Sequence, residues 1–183
     1  MPDPVPVPVA AVDGIKLPQG MLRLAGIVDE SIVDGPGLRF VLFTQGCPHG
    51  CSGCHNPDTH SLEGGFLHRT EDILSRYAEN PLLAGITFSG GEPLLQAAAL
   101  CQVAEGVREM GGDVITYTGY TFERLLELTR HGQNPHMTRL LELTDLLIDG
   151  PYVEALRDLE LDFRGSSNQR LLDRAARRAL SGE

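Results

Sequence analysis

Cys47, Cys51 and Cys54 are the residues of this chain with the clearest capacity for chemistry. They are three of its four cysteines, spaced C-x3-C-x2-C within "GCPHGCSGCHN", with His49 and His55 among them. Clustered thiols in a reducing setting read as metal ligands or redox groups before disulfides. Three cysteines are one short of a closed tetrahedral site. One reading completes a zinc site with a histidine, but structural zinc commonly draws paired ligands from separated stretches, and the chain has no second cysteine pair. The other reading is an iron–sulfur cubane. Thiolates in a short loop can hold three irons of a [4Fe-4S] cluster, and Gly46, Gly50 and Gly53 let the backbone wrap around it. The fourth iron is then open to a ligand. Cys101 falls on the apolar face of a predicted helix and reads as a core residue.

The elements that position this loop alternate between strand and helix. "MLRLAGIVDE" and "FVLFTQG" read as strands with "DGPGLR" turning between them, and the cysteines follow directly. Helical spacing runs through "RTEDILSRYAEN", "LLQAAALCQVAEGVREMGG" and "TFERLLELTRHG", the last with Thr121 as N-cap, and Asn134-Pro135 opens another helical stretch. Between them lie the strands "AGITF", "DVITY" and "DLLI". The alternation predicts a mostly parallel α/β sheet with flanking helices. A closed barrel of eight such units takes about 250 residues, so a partial, open (β/α) barrel is expected. In such sheets ligands bind beyond the carboxyl ends of the strands. The cysteine loop, "SGGEP", "TGY" and "DGPY" all follow strands, so the four are expected to converge. The terminal "RLLDRAARRAL" reads as a solvated amphipathic helix, and Arg39 as a surface charge.

Composition bounds the partners. The net charge of −10 over 183 residues argues against nucleic acid or an anionic membrane as the main partner. No apolar run approaches a membrane span and no signal-peptide pattern is seen, so a cytoplasmic protein is expected. Residues 1–20, rich in proline and valine, read as an extended arm ahead of a single domain over 21–183.

The cysteine spacing with "SGGEP" downstream resembles the radical S-adenosylmethionine (SAM) superfamily. The resemblance implies that Cys47, Cys51 and Cys54 ligate a [4Fe-4S] cluster whose fourth iron takes the amino and carboxylate groups of SAM. It places Gly90, Gly91 and Glu92 at the methionine end of SAM. Many members carry an aromatic residue before the last cysteine, beside the adenine. This chain has Gly53, leaving the backbone there, with Cys54 and His55, as the adenine edge.

"SIVDGPGLRFVLFTQGCPHGCSGCHNPDTH", "TFSGGEPL", "TYTGYTFE", "LLIDGPY" and "FRGSSNQR" resemble one branch, the activating proteins of anaerobic, class III ribonucleotide reductase. That implies an oxidoreductase in which an electron donor such as flavodoxin or ferredoxin reduces the cluster. SAM is cleaved to methionine and a 5′-deoxyadenosyl radical, which takes a hydrogen atom from a glycine of the reductase large subunit. The resemblance further suggests Thr118 near the ribose or carboxylate of SAM. Asp149 stands where related activases place an acidic residue near SAM, although "DGP" is equally an ordinary strand-end turn. Arg164 and Arg170 are suggested near SAM or the partner. The alternatives are activation of another glycyl-radical enzyme, or a zinc-stabilised binding module.

Overall fold

The computed structural model describes residues 15–182. Residues 1–14, most of the expected arm, lie outside the described residues. The rest of that arm is tied to the fold: Ile15 donates its backbone N–H to Leu95 O at 2.9 Å.

Among the described residues seven strands form one sheet: β1 (Met21–Ser31), β2 (Arg39–Thr44), β3 (Phe66–Arg69), β4 (Gly85–Gly90), β5 (Asp113–Tyr117), β6 (Leu146–Asp149) and β7 (Arg170–Asp173). Their spatial order is β3-β1-β2-β4-β5-β6-β7. The four central strands, β2, β4, β5 and β6, are parallel, and β1, β3 and β7 pair antiparallel. Parallel neighbours need long crossovers. These are supplied by α1 (Thr70–Ala78), α2 (Ala97–Glu109), α3 (Phe122–Thr129) and α4 (Pro135–Leu143), and α5 (Arg174–Ser181) follows β7.

Successive strand residues face opposite sides of a sheet. Phe40, Leu42, Ile86, Phe88, Val114 and Leu147 share one buried core with helix residues such as Leu100, Val103, Leu125 and Leu140. Each of those fully buried leucines is worth about 2–5 kcal/mol against truncation to alanine. The alternate residues Val41, Thr87 and Ile115, paired in register, occupy the other face and are equally buried. The "DGPG" turn covers them. Thr87 Oγ1 donates to Asp34 O at 2.9 Å, and a side chain on Gly35 would run into Ile115.

One layer lower, Arg39, Gly85 and Asp113 lie side by side. Arg39 is not the surface charge expected. It is fully buried, donates to Ile86 O at 2.7 Å and Thr87 Oγ1 at 3.2 Å, and pairs with Asp113. A Cβ on Gly85 would strike Asp113. A guanidinium tolerates this depth because its donors are matched by acceptors.

The C-terminal stretch also departs from expectation. Arg170–Asp173 is strand, pairing with β6, and only Arg174–Ser181 is helical. The Asp173 carboxylate caps α5 by accepting the Ala176 N–H at 2.7 Å. Arg177 is buried, not solvated. It donates to Leu141 O at 2.5 Å and to Thr144 O, carbonyls at the end of α4 that the helix itself leaves unpaired. Burial holds its guanidinium below the ordinary value. Arg177→Ala should therefore cost about 1.5–3 kcal/mol in urea denaturation. Arg178→Ala, at an exposed position of the same helix, should stay within about 0.5 kcal/mol.

Candidate active site

The loops after β2, β4, β5 and β6 meet at one end of the sheet, around a cavity of about 480 Å3. Cys47, Cys51, Cys54, Gly90, Gly91 and Thr118 are among its lining residues, so the expected convergence is present in the fold.

The Cys54 sulfur accepts the Asn56 N–H at 3.4 Å, and the backbone at His49 and at Tyr152 favours the ionised forms of Cys47 and Cys51. Burial, and then the Glu92 carboxylate, push the Cys47 thiol up to about 12, and burial raises Cys51. These sulfurs ionise when a cation replaces the proton. Amide donors aimed at sulfur suit thiolates bound to iron, where they tune the cluster. Among the described residues no three His, Cys, Asp or Glu side chains converge as ligands of a single ion would. Three thiols facing one cavity fit three irons of one cluster. Cys101 is away from the cavity, buried in the core as expected.

The two glycines after β4 are required by packing. Gly90 has φ +95°, and a Cβ there would lie 2.6 Å from the Phe43 backbone. A Cβ on Gly91 would strike Gly46 O. Their absence lets Gly91 N donate to Thr44 O and Glu92 N to Gly46 O, both at 2.8 Å. The end of β4 is thereby laced to the start of the cysteine loop.

Glu92 is fully buried and does not line the cavity, whereas Gly90 and Gly91 do. Its carboxylate accepts from His49 Nε2 at 2.7 Å, Gly119 N at 2.9 Å, Thr118 Oγ1 at 3.0 Å and Leu94 N at 3.1 Å. The side chain is already engaged by protein donors, and it is the Gly90 and Gly91 part of the motif that faces the cavity. Thr118 still lines the cavity, but its hydroxyl proton goes to Glu92 and its oxygen accepts the Tyr120 N–H at 3.2 Å. It has no proton to offer ribose.

Asp149 is also fully buried and outside the lining. It accepts the Phe122 N–H at 2.7 Å and the Arg170 Nε at 2.9 Å. Arg170 also grips Glu123 at 2.8 and 2.9 Å, and its hydrogen bonds to Asp149 and then Glu123 hold it well above the ordinary value. The carboxylate forms an ion pair that fastens β6 to β7 and to the start of α3. Arg164 is separated from Arg170 by the structure. It lines the cavity, and among the described residues it forms no ion pair.

Gly53 has φ +68°, and a Cβ there would lie 2.9 Å from Glu154 Cδ. It is not part of the lining, while Cys54 and His55 are. The sequence reading gave no role to His49, which is buried against Tyr120 with ring centroids 4.6 Å apart, or to Tyr152. Their one signal was position, between two of the cysteines and at the end of "DGPY".

Residues 33–172 match the family model described as a 4Fe-4S single cluster domain. The anaerobic ribonucleoside-triphosphate reductase-activating protein of Escherichia coli (strain K12) is 34% identical over 146 residues, covering 75% of this chain and 90% of that protein. The chain belongs to the radical SAM activating-enzyme family. The protein of the same name from enterobacteria phage T4 is 34% identical over 145 residues, 76% of this chain and 86% of its own. The pyruvate formate-lyase-activating enzyme of Clostridium pasteurianum is 38% identical over 117 residues, 61% of this chain and 49% of its own. The family's cofactors are a [4Fe-4S] cluster and SAM, and the three-thiol donor set fits that cluster. The zinc reading is set aside.

Anaerobic reconstitution with iron and sulfide should give a brown protein with a broad visible absorption. Cys47→Ser, Cys51→Ser or Cys54→Ser should each abolish that absorption, and Cys101→Ser should keep it.

Proposed function

We propose that this chain activates an anaerobic ribonucleotide reductase by generating a glycyl radical on its large subunit. The observation that carries the reading is the meeting of the cysteine loop with the Gly90-Gly91 backbone and the "TGY" loop around one open cavity. The names of the relatives in E. coli and phage T4 direct it to this reductase.

When bound, the cluster and SAM supply the one-electron chemistry that removes a hydrogen atom from a glycine α-carbon. The chain's own residues do the positioning. Cys47, Cys51 and Cys54 would hold the cluster. The Gly90 and Gly91 backbone would hold the methionine end of SAM, with Glu92 fixing that backbone from behind. Thr118 acts through Glu92. Asp149 acts through Arg170, by fixing the wall formed by β6 and β7. Phe43 and Tyr117 line the cavity from the sheet and give it an apolar floor. Val33 and Leu159 line it too, yet are 72% and 81% exposed, so its mouth is apolar and open. That form suits a segment of another protein better than a small molecule enclosed on all sides. A reduced flavodoxin or ferredoxin supplies the electron.

Among the described residues no helix is long and apolar enough to cross a membrane. The test is anaerobic incubation of the reconstituted protein with the cognate reductase, SAM and a reductant. Electron paramagnetic resonance should show a glycyl doublet on the reductase, with methionine and 5′-deoxyadenosine formed. SAM cleavage without a doublet would point to a different glycyl-radical enzyme. No cleavage by the loaded protein would overturn the reading.

A further inference from the structure

Three loops distant in sequence meet at a pair of rings beside the cysteines. His55 follows Cys54, and Tyr152 ends "DGPY". Their ring centroids are 4.7 Å apart and the planes are tilted by 49°. Both line the cavity. Gly165, from "RGSSNQ", lies against both rings. A Cβ there would be 2.9 Å from His55 Cε1 and 3.1 Å from Tyr152 Cδ2, so glycine is what leaves room for the pair.

The pair is held in place. Ser52 Oγ, between two of the cysteines, donates to Glu154 Oε2 at 3.2 Å, two residues beyond Tyr152. Val153 N donates to Ser166 Oγ at 3.2 Å, Asn168 Nδ2 to Pro151 O at 2.8 Å and Gln169 Nε2 to Gly150 O at 3.2 Å. The "DGPY" loop is thus locked to "RGSSNQ" on one side and meets the cysteine loop through the His55 ring on the other. Position 53 disfavours any side chain because its φ is +68°. Phe43, Tyr117, His49, His60 and Phe163 also line the cavity, and among these lining rings His55 and Tyr152 are the two that pack on each other.

We propose that the adenine of SAM packs against the Tyr152–His55 ring pair, with Tyr152 as the positioning residue that favours an adenosyl group. The inference rests on the reading that SAM binds in this cavity. Adenine is flat and has a π face, and an aromatic side chain contributes enough to base stacking for its loss to weaken binding by about 10- to 100-fold. Tyr152 is suited to this because its loop is bonded to "RGSSNQ" and its ring packs on His55, the neighbour of Cys54. The base and the methionine end of SAM would then be held in one cavity.

The test uses the full chain with its cluster reconstituted, and measures SAM binding anaerobically by calorimetry. Tyr152→Leu should raise the SAM dissociation constant about 10- to 100-fold, while Tyr152→Phe should leave it unchanged. Both variants should keep the visible spectrum of the cluster. Methionine, which lacks the base, is titrated through its effect on the electron paramagnetic resonance spectrum of the reduced cluster, and Tyr152→Leu should leave its binding unchanged. The inference is overturned if Tyr152→Leu binds SAM as the wild type does. It is equally overturned if methionine binding falls in parallel, or if Tyr152→Phe loses as much as Tyr152→Leu. Wild-type protein that bound no SAM at all would bring down the functional reading itself, so the two failures are told apart.

Discussion

The carboxylate of Glu92 is the interaction on which the site depends. A buried carboxylate is costly unless its oxygens are hydrogen-bonded. Here the donors come from three separate segments: His49 in the cysteine loop, Thr118 and Gly119 after β5, and Leu94 in the turn that begins the approach to α2. Satisfying one charge therefore fixes the cysteine loop and the "TGY" loop against the end of β4. Gly119 belongs to the same constraint, because a side chain there would collide with the His49 ring. Motifs scattered along the chain are linked by a single acceptor.

The sheet beneath has a division of labour that follows from strand alternation. One face is apolar and carries the helices. The other is layered, with the Arg39–Asp113 pair lowest, Val41, Thr87 and Ile115 above it, and the cavity-lining Phe43, Ser89 and Tyr117 at the top. The polar groups of the lower layers are matched internally. Thr87 accepts from Arg39 and donates to Asp34 O, so the turn over the inner face is bonded to the strand beneath it.

Much of this was legible in the sequence. The central parallel strands show because each is a short apolar run bounded by glycine or polar residues, and the spacing of the cysteines points to a cluster by donor chemistry alone. What was not legible depends on partners far along the chain. Arg39 at the start of a strand reads as exposed, and nothing local signals that Asp113 will receive it. Asp149 reads as a turn residue or a ligand contact until Arg170 is seen to close on it. Residues 170–173 are too few for a two-residue period to stand out from the helical pattern that follows. Arg177 looks solvated because its acceptors are backbone carbonyls, which leave no mark in a sequence. Of the ring pair, His55 was marked by its place after Cys54, but its neighbour Tyr152 could be recognised only once the loops met.

The packed layers under the cavity also impose an order on traffic. Val41, Thr87 and Ile115 are buried, and the "DGPG" turn is bonded across them, so the floor is shut. The cavity opens on the side where the exposed Val33 and Leu159 stand, so that side is the open way in and out. If a large partner sits over that opening, spent small molecules remain beneath it until it moves away. Release of the partner then becomes a step in every cycle, and the rate of recycling is tied to how long two proteins stay together.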